Sequence, residues 1–179
     1  MRLGPVVAAV LFVLSPAGAA DSPTLPELPD LPPAGSSLDA LDRNNYHCVQ
    51  HDGGLQCRRP GKAQDRVAGE QAAEIVLVYR RGLLARTVVT LDEGHFQAIA
   101  EQLFFSLGPA AQGDEALNAG MGGAFKNHYY IWRHDGRAWL LEQFFERIIR
   151  SGLWLMNDDE FEALMTEREQ RRVRGVRDL

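Results

Sequence analysis

The two cysteines of this chain, Cys48 and Cys57, stand symmetrically about Asp52-Gly53. Asp-Gly is a strong signal for a two-residue hairpin turn of type I′, in which both central residues take positive φ. Such a turn pairs His51 with Gly54, Gln50 with Leu55 and Val49 with Gln56, and so brings Cys48 opposite Cys57. Counted outward from a hydrogen-bonded 51:54 pair, the cysteines fall at a non-hydrogen-bonded position. There the Cα atoms approach to about 4.5 Å, a gap that a disulfide spans. The spacing is not that of a Cys-x-x-Cys redox pair, and a cross-strand bond of this kind is structural, stabilising by roughly 2–3 kcal/mol through loop closure.

A disulfide needs an oxidising compartment, and the N-terminus points to one. Arg2 is followed by an apolar stretch from Val6 to Leu14 and by small residues ending in Ala17-Gly18-Ala19-Ala20. This order is that of a cleavable secretory signal over residues 1–20, and the apolar run is shorter than the ~20 residues of a membrane span. No later stretch is long and apolar enough to span a bilayer either. Cleavage removes only Arg2 among charged residues, so the formal net charge of −5 becomes −6. An acidic chain of this kind is a poor match for nucleic acid or an anionic membrane. Export to the periplasm or the exterior, with no membrane span after cleavage, is the expectation.

Residues 21–43 read as an arm. Pro23, Pro26, Pro29 and Pro32 recur every third residue, and so do Leu25, Leu28 and Leu31. Polyproline II has three residues per turn, so the prolines and the leucines each form an edge. Such a segment serves either as a semi-rigid linker or as a docking element whose leucine edge meets a partner or the parent domain.

Residues 44–165 are expected to form one α+β domain, an antiparallel sheet built from hairpins with one main amphipathic helix packed on a face and a C-terminal helix. Residues 166–179 are read as a charged helix end or tail. Ala73–Tyr79 and Leu83–Thr90 read as a second hairpin around Arg81-Gly82, placing Ile75, Leu77, Tyr79, Leu84 and Val88 on one face. Arg-Gly is a weaker turn signal than Asp-Gly, which leaves room for a bulge. Asp92 is a good N-cap for a helix carrying Phe96, Ile99, Ala100, Leu103, Phe104 and Leu107 on one stripe and stopped by Gly108-Pro109. Residues 109–126 read as a long glycine-rich loop. A second Asp-Gly turn at 135–136 then pairs Trp132 with Trp139, Tyr130 with Leu141 and Ile131 with Leu140. A strand over Arg147–Met156 and a last helix with an acidic first turn complete the chain.

The order of helix, Gly108-Pro109 stop and three strands resembles, over about a third of the chain, the small lipoprotein of the outer-membrane assembly machine. The chain departs from it in lacking the lipid-anchor cysteine and a second preceding helix. The resemblance implies architecture alone and carries over no residues.

Chemistry is sparse. His47 and His51 share a strand face about 13 Å apart, too far for one metal ion, and no His-Glu-x-x-His pattern occurs. No Gly-x-Ser-x-Gly is present, and the acidic pairs at 92–93 and 158–160 are read as helix starts. No catalytic residue, metal or cofactor is assigned. The aromatic face of Tyr130, Trp132 and Trp139 and the leucine edge Leu25, Leu28 and Leu31 are the binding candidates. The expected role is a non-enzymatic, envelope-associated module that binds another envelope or extracellular protein. The alternatives are a hydrolase-like enzyme with a site beside 109–126, and a purely structural envelope component.

Mass spectrometry of the exported chain is expected to find an N-terminus at Ala20 or Asp21, and two fewer hydrogens in the unreduced than in the reduced protein. Retention of residues 1–20 or two free thiols would contradict these readings.

Overall fold

A computed structural model describes residues 28, 31–51, 53–119 and 123–177. The signal sequence expected at 1–20, Leu25, Asp52 and residues 120–122 lie outside the described residues. The first hairpin joins β1 (His47–His51) to β2 (Gly54–Pro60) in the register expected from its turn, and the Cys48–Cys57 disulfide bridges Cα atoms 4.0 Å apart. A two-stranded excursion, β3 (Arg66–Val67) and β4 (Glu70–Gln71), leads to β5 (Glu74–Arg80) and β6 (Leu83–Asp92). The helix α1 (Phe96–Leu107) follows, then β7 (Ala111–Ala119), β8 (Gly123–His134), β9 (Arg137–Glu142), β10 (Arg150–Asn157) and α2 (Asp158–Arg177). Among the described residues, eight strands form one antiparallel sheet in the order β1-β2-β5-β6-β10-β9-β8-β7.

The β5–β6 turn closes as expected at Arg81-Gly82, with φ of 52° and 79°. The register then shifts between Val78 and Tyr79: Tyr79 faces Leu84, but Val78 faces Arg86. Ala85 is the extra residue of a β-bulge, and every β6 side chain beyond it changes face. Val89, not Val88, therefore stands opposite Ile75, while Val88 pairs with Val76 on the other side of the sheet. The expected face of Ile75, Leu77, Tyr79 and Leu84 holds, and Val88 is corrected to Val89.

Two layers cover the sheet. On one side α1 lays Phe96, Ile99, Ala100 and Leu103 over Ile75, Leu77, Val89, Leu141, Leu153 and the two tryptophans of the β8–β9 hairpin. Asp92 caps a single 3-10 turn, Glu93–His95, rather than the α-helix itself, by accepting from the Gly94 N–H. At the far end the Gly108 N–H donates to the Phe104 carbonyl, with Gly108 at φ 80°, a geometry that glycine adopts without strain.

On the other side α2 places Phe161 and Leu164 over Ala138, Leu140 and Met156. Few of its residues are apolar, and ion pairs complete the docking. Arg168 forks onto Glu142 at 2.5 and 2.9 Å, and Glu142, only 4% exposed, also accepts from the Trp154 indole. Arg86, pushed below its ordinary pKa chiefly by burial, lies 2.9 Å from Glu160 in an ion pair without hydrogen-bond alignment. Arg133 reaches Asp158 and Glu162.

Residues expected to loop or to stand clear are ordered into this frame. The segment 109–126, read from sequence as a loop, contributes all of β7 and the start of β8, so that reading is corrected. β7 has no apolar alternation and forms by backbone pairing to β8, from Ala111 opposite Ile131 to Ala119 opposite Gly123. Ser36 and Gly35 exchange backbone hydrogen bonds with Leu84 at 2.8 Å, and Leu28, Leu31, Leu38 and Leu41 pack against the α1-side core.

The connection between β2 and β5 is held by a buried ion pair. Arg59 donates to Asp65 at 2.5 and 3.0 Å and to the Tyr46 hydroxyl at 2.9 Å, and the Lys62 N–H also donates to Asp65. Burial pushes the Asp65 carboxyl up, but the Arg59 and Lys62 hydrogen bonds outweigh it and hold the pKa below its ordinary 3.8. A depressed carboxyl pKa stabilises the fold fully above the unfolded value and loses that contribution as pH falls through the folded one. Asp65→Asn is therefore expected to destabilise by about 3–5 kcal/mol near neutral pH, because Arg59 is left buried without its counter-charge. In urea titrations the gap between the two proteins should hold down to about pH 4 and shrink below it.

Candidate binding cleft

One end of the sheet, where β2 finishes, β5 and β10 start and β6 ends, carries a cleft of about 320 Å³. Pro60, Ala73 and Thr90 line it on the sheet side, with the charged pair Arg58 and Glu74. Phe145, Glu146, Arg147 and Arg150 line it from the loop that joins β9 to β10. Thr90, 4% exposed, buries its hydroxyl oxygen without a hydrogen-bond partner among the described residues.

The loop is held firmly at its base and exposed at its tip. Buried Asn127 donates to the Phe144 carbonyl and accepts from the Phe144 N–H, while the Gln143 side chain donates to Glu93 at 2.8 Å. The Phe145 N–H donates to the Arg150 carbonyl at 2.7 Å, closing a tip of Glu146, Arg147, Ile148 and Ile149, all four exposed. Glu146 sits at φ 56°, an uncommon conformation for a residue with a Cβ. Its carboxylate takes the Arg58 guanidinium at 2.9 Å, which ties the strained residue back to the sheet. Phe145 lies edge-on against Trp154, with ring centroids 5.3 Å apart, in space that Gly152 leaves open: a Cβ on Gly152 would come within 2.8 Å of the Phe145 ring.

Charges in the cleft are unevenly spent. Arg58 donates to Glu74 Oε2 at 3.1 Å and to Glu146 Oε1 at 2.9 Å, and the Glu146 bond above all, against the cost of burial, raises the Arg58 pKa. Arg147 and Arg150 have no ion-pair partner among the described residues, and Glu74 Oε1 and Glu146 Oε2 accept no hydrogen bond among them. Beside them Ile148 and Ile149 are 52% and 61% exposed. The arrangement can therefore offer two cations, two carboxylate oxygens and an apolar tip to one ligand.

The sequence-based binding candidates are placed elsewhere. Trp132 and Trp139, 2% and 3% exposed, belong to the core beneath α1, and Trp132 donates its indole N–H to the Gly108 carbonyl at 2.9 Å. Half-buried Tyr130 stacks on Phe96 at 5.8 Å and meets Phe104 edge-on at 5.1 Å. The aromatic face is thus corrected from a docking surface to an internal one, because α1 needs that apolar area for its own stripe. Leu28 and Leu31 pack on the same core, so the described part of the leucine edge meets the parent domain.

A histidine and a carboxylate do meet beside the former loop: His128 contacts Asp114 across β7–β8, and Lys126 pairs with the same carboxylate at 2.6 Å. The Lys126 hydrogen bond first, opposed next by desolvation and then reinforced by the His128 charge, lowers the Asp114 pKa. The Ser151 hydroxyl is engaged elsewhere, by the Gln143 carbonyl at 3.0 Å. The cleft itself escaped sequence reading because Arg147–Arg150 lacks turn residues and passes for the start of a strand. The detectable signal was an adjacent pair of isoleucines bracketed by arginines, after a strand already complete at Glu142.

Trp132→Ala is expected to lower stability by about 3–5 kcal/mol, as for other large buried aromatics, with a matching fall in Tm. An unchanged Tm would return Trp132 to the surface.

No family model matches the chain, and no curated protein or solved structure matches it at a significant level.

Proposed function

We propose that this chain is an exported, non-enzymatic binding module of the cell envelope, and that it makes contact through the β9–β10 loop and the cleft beside it. The observation that carries this reading is the exposed Ile148-Ile149 tip set between Arg147 and Arg150, two cations without ion-pair partners among the described residues. Large apolar side chains cost free energy in water, and a firmly anchored loop that displays two together is better suited to contact than to solvent. Removing the exposed parts of both from water contributes on the order of 2 kcal/mol before ordering costs. The anchoring at Asn127, Glu93 and Arg58 reduces those costs, since the tip is preorganised. The Cys48–Cys57 disulfide is compatible with an oxidising compartment.

Mature protein mixed with an isolated envelope fraction is expected to sediment with it, and Ile148→Ser/Ile149→Ser to lose roughly tenfold or more of that association. Both positions are exposed, so the variant should keep its Tm. Equal sedimentation of the two folded proteins would overturn the reading.

A further inference from the structure

We propose that the cleft recognises a phosphoethanolamine-type zwitterion, a phosphodiester with a neighbouring primary ammonium, presented as a lipid head group at a bilayer surface. This deepens the binding-module reading and rests on it. The charge pattern in the cleft carries the assignment. Guanidinium groups are well matched to phosphate oxygens, and Arg147 and Arg150 line the cleft with no ion pair of their own among the described residues. A purely anionic ligand is a poor fit, because Glu74 and Glu146 line the same cleft and would repel added negative charge. Arg58 occupies only one oxygen of each, leaving Glu74 Oε1 and Glu146 Oε2 to accept from an ammonium. A ligand that carries both charges satisfies both sets.

Two further observations favour a bilayer as the source. The exposed tip of Ile148 and Ile149 adjoins the cleft, so an occupant that extends into hydrocarbon meets an apolar surface beside its head group. Arginines beside such a tip suit an interface, where their stems lie against apolar chains and their heads reach phosphate. The acidic net charge, −5 for the full chain and −6 once residues 1–20 are removed, opposes attraction to anionic membranes, whereas a zwitterionic surface imposes no such penalty.

The test uses full mature protein. Soluble sn-glycero-3-phosphoethanolamine is titrated against it by NMR, in parallel with sn-glycero-3-phosphocholine, whose quaternary nitrogen has no N–H to donate, and with inorganic phosphate. Flotation with vesicles of phosphatidylethanolamine and phosphatidylcholine, against phosphatidylcholine alone, forms the bilayer arm. The expected result is a response at Arg147, Arg150, Glu74 and Glu146 to the ethanolamine diester, at least about tenfold tighter than to the choline diester, and flotation only with ethanolamine-containing vesicles. Arg147→Gln/Arg150→Gln, with unchanged Tm, should weaken both responses by roughly tenfold or more. Ile148→Ser/Ile149→Ser should lose flotation yet keep the soluble diester. Equal response to the two diesters, or preference for inorganic phosphate, overturns the zwitterion assignment. Binding of the soluble diester without vesicle preference overturns the bilayer source. Envelope sedimentation that still depends on the isoleucines, with no response to either diester, rejects this ligand while leaving the contact surface in place.

Discussion

The sheet is held together by one long-range pairing, that of β10 with β6. The strands before it form one hairpin-built set, β1-β2-β5-β6, and the strands after α1 form another, β7-β8-β9, with β10 as its continuation. Among the described residues, the seven cross-strand pairs from Arg150 opposite Asp92 to Met156 opposite Arg86 join the two halves into a continuous surface. Every other neighbouring pair lies close in sequence and closes with a smaller loss of chain entropy. Both layers depend on that join. α1 spans side chains from the two halves at once, Ile75 and Leu77 from one and Leu141 and Trp139 from the other. α2 does the same by charge, gripping Arg86 of β6 and Glu142 of β9.

Where local chemistry decides structure, the sequence was readable. The registers expected from the two Asp-Gly pairs are those of the β1–β2 and β8–β9 strands, down to Cys48 opposite Cys57 and Trp132 opposite Trp139. Where tertiary context decides, it was not. Nothing in Leu83–Thr90 marks Ala85 as a bulge, and that single residue exchanges the faces of Val88 and Val89. The β7 segment, Ala-Gln-Gly-Asp-Glu-Ala-Leu-Asn-Ala, has the composition of a loop and becomes a strand because β8 supplies a ladder for it. Propensity is a weak guide for such edge strands, whose stability comes from their neighbour. The cleft was hidden for a related reason. Its residues come from four places in the chain, and only the sheet topology brings Arg58 and Arg150 to one cleft.

The two covering helices solve the same problem by different means. α1 lies on the sheet through a continuous apolar stripe, whereas α2 has few apolar residues and supplements them with carboxylate–guanidinium pairs. The latter contacts are directional, so they specify where the helix sits as much as they stabilise it, and burial of Glu142 and Arg86 makes each partner costly to remove. The polar side of the sheet is therefore the more position-sensitive of the two.

Trp154 stands at the meeting point of these systems. Phe145 of the cleft loop rests on its ring from one direction, the Arg168 guanidinium lies 5.3 Å over it from another, and its indole N–H is spent on Glu142. The other two tryptophans are sealed under α1. The chain thus contains its own optical gauge: one indole touches both the cleft loop and α2, so its emission reports on the seating of each.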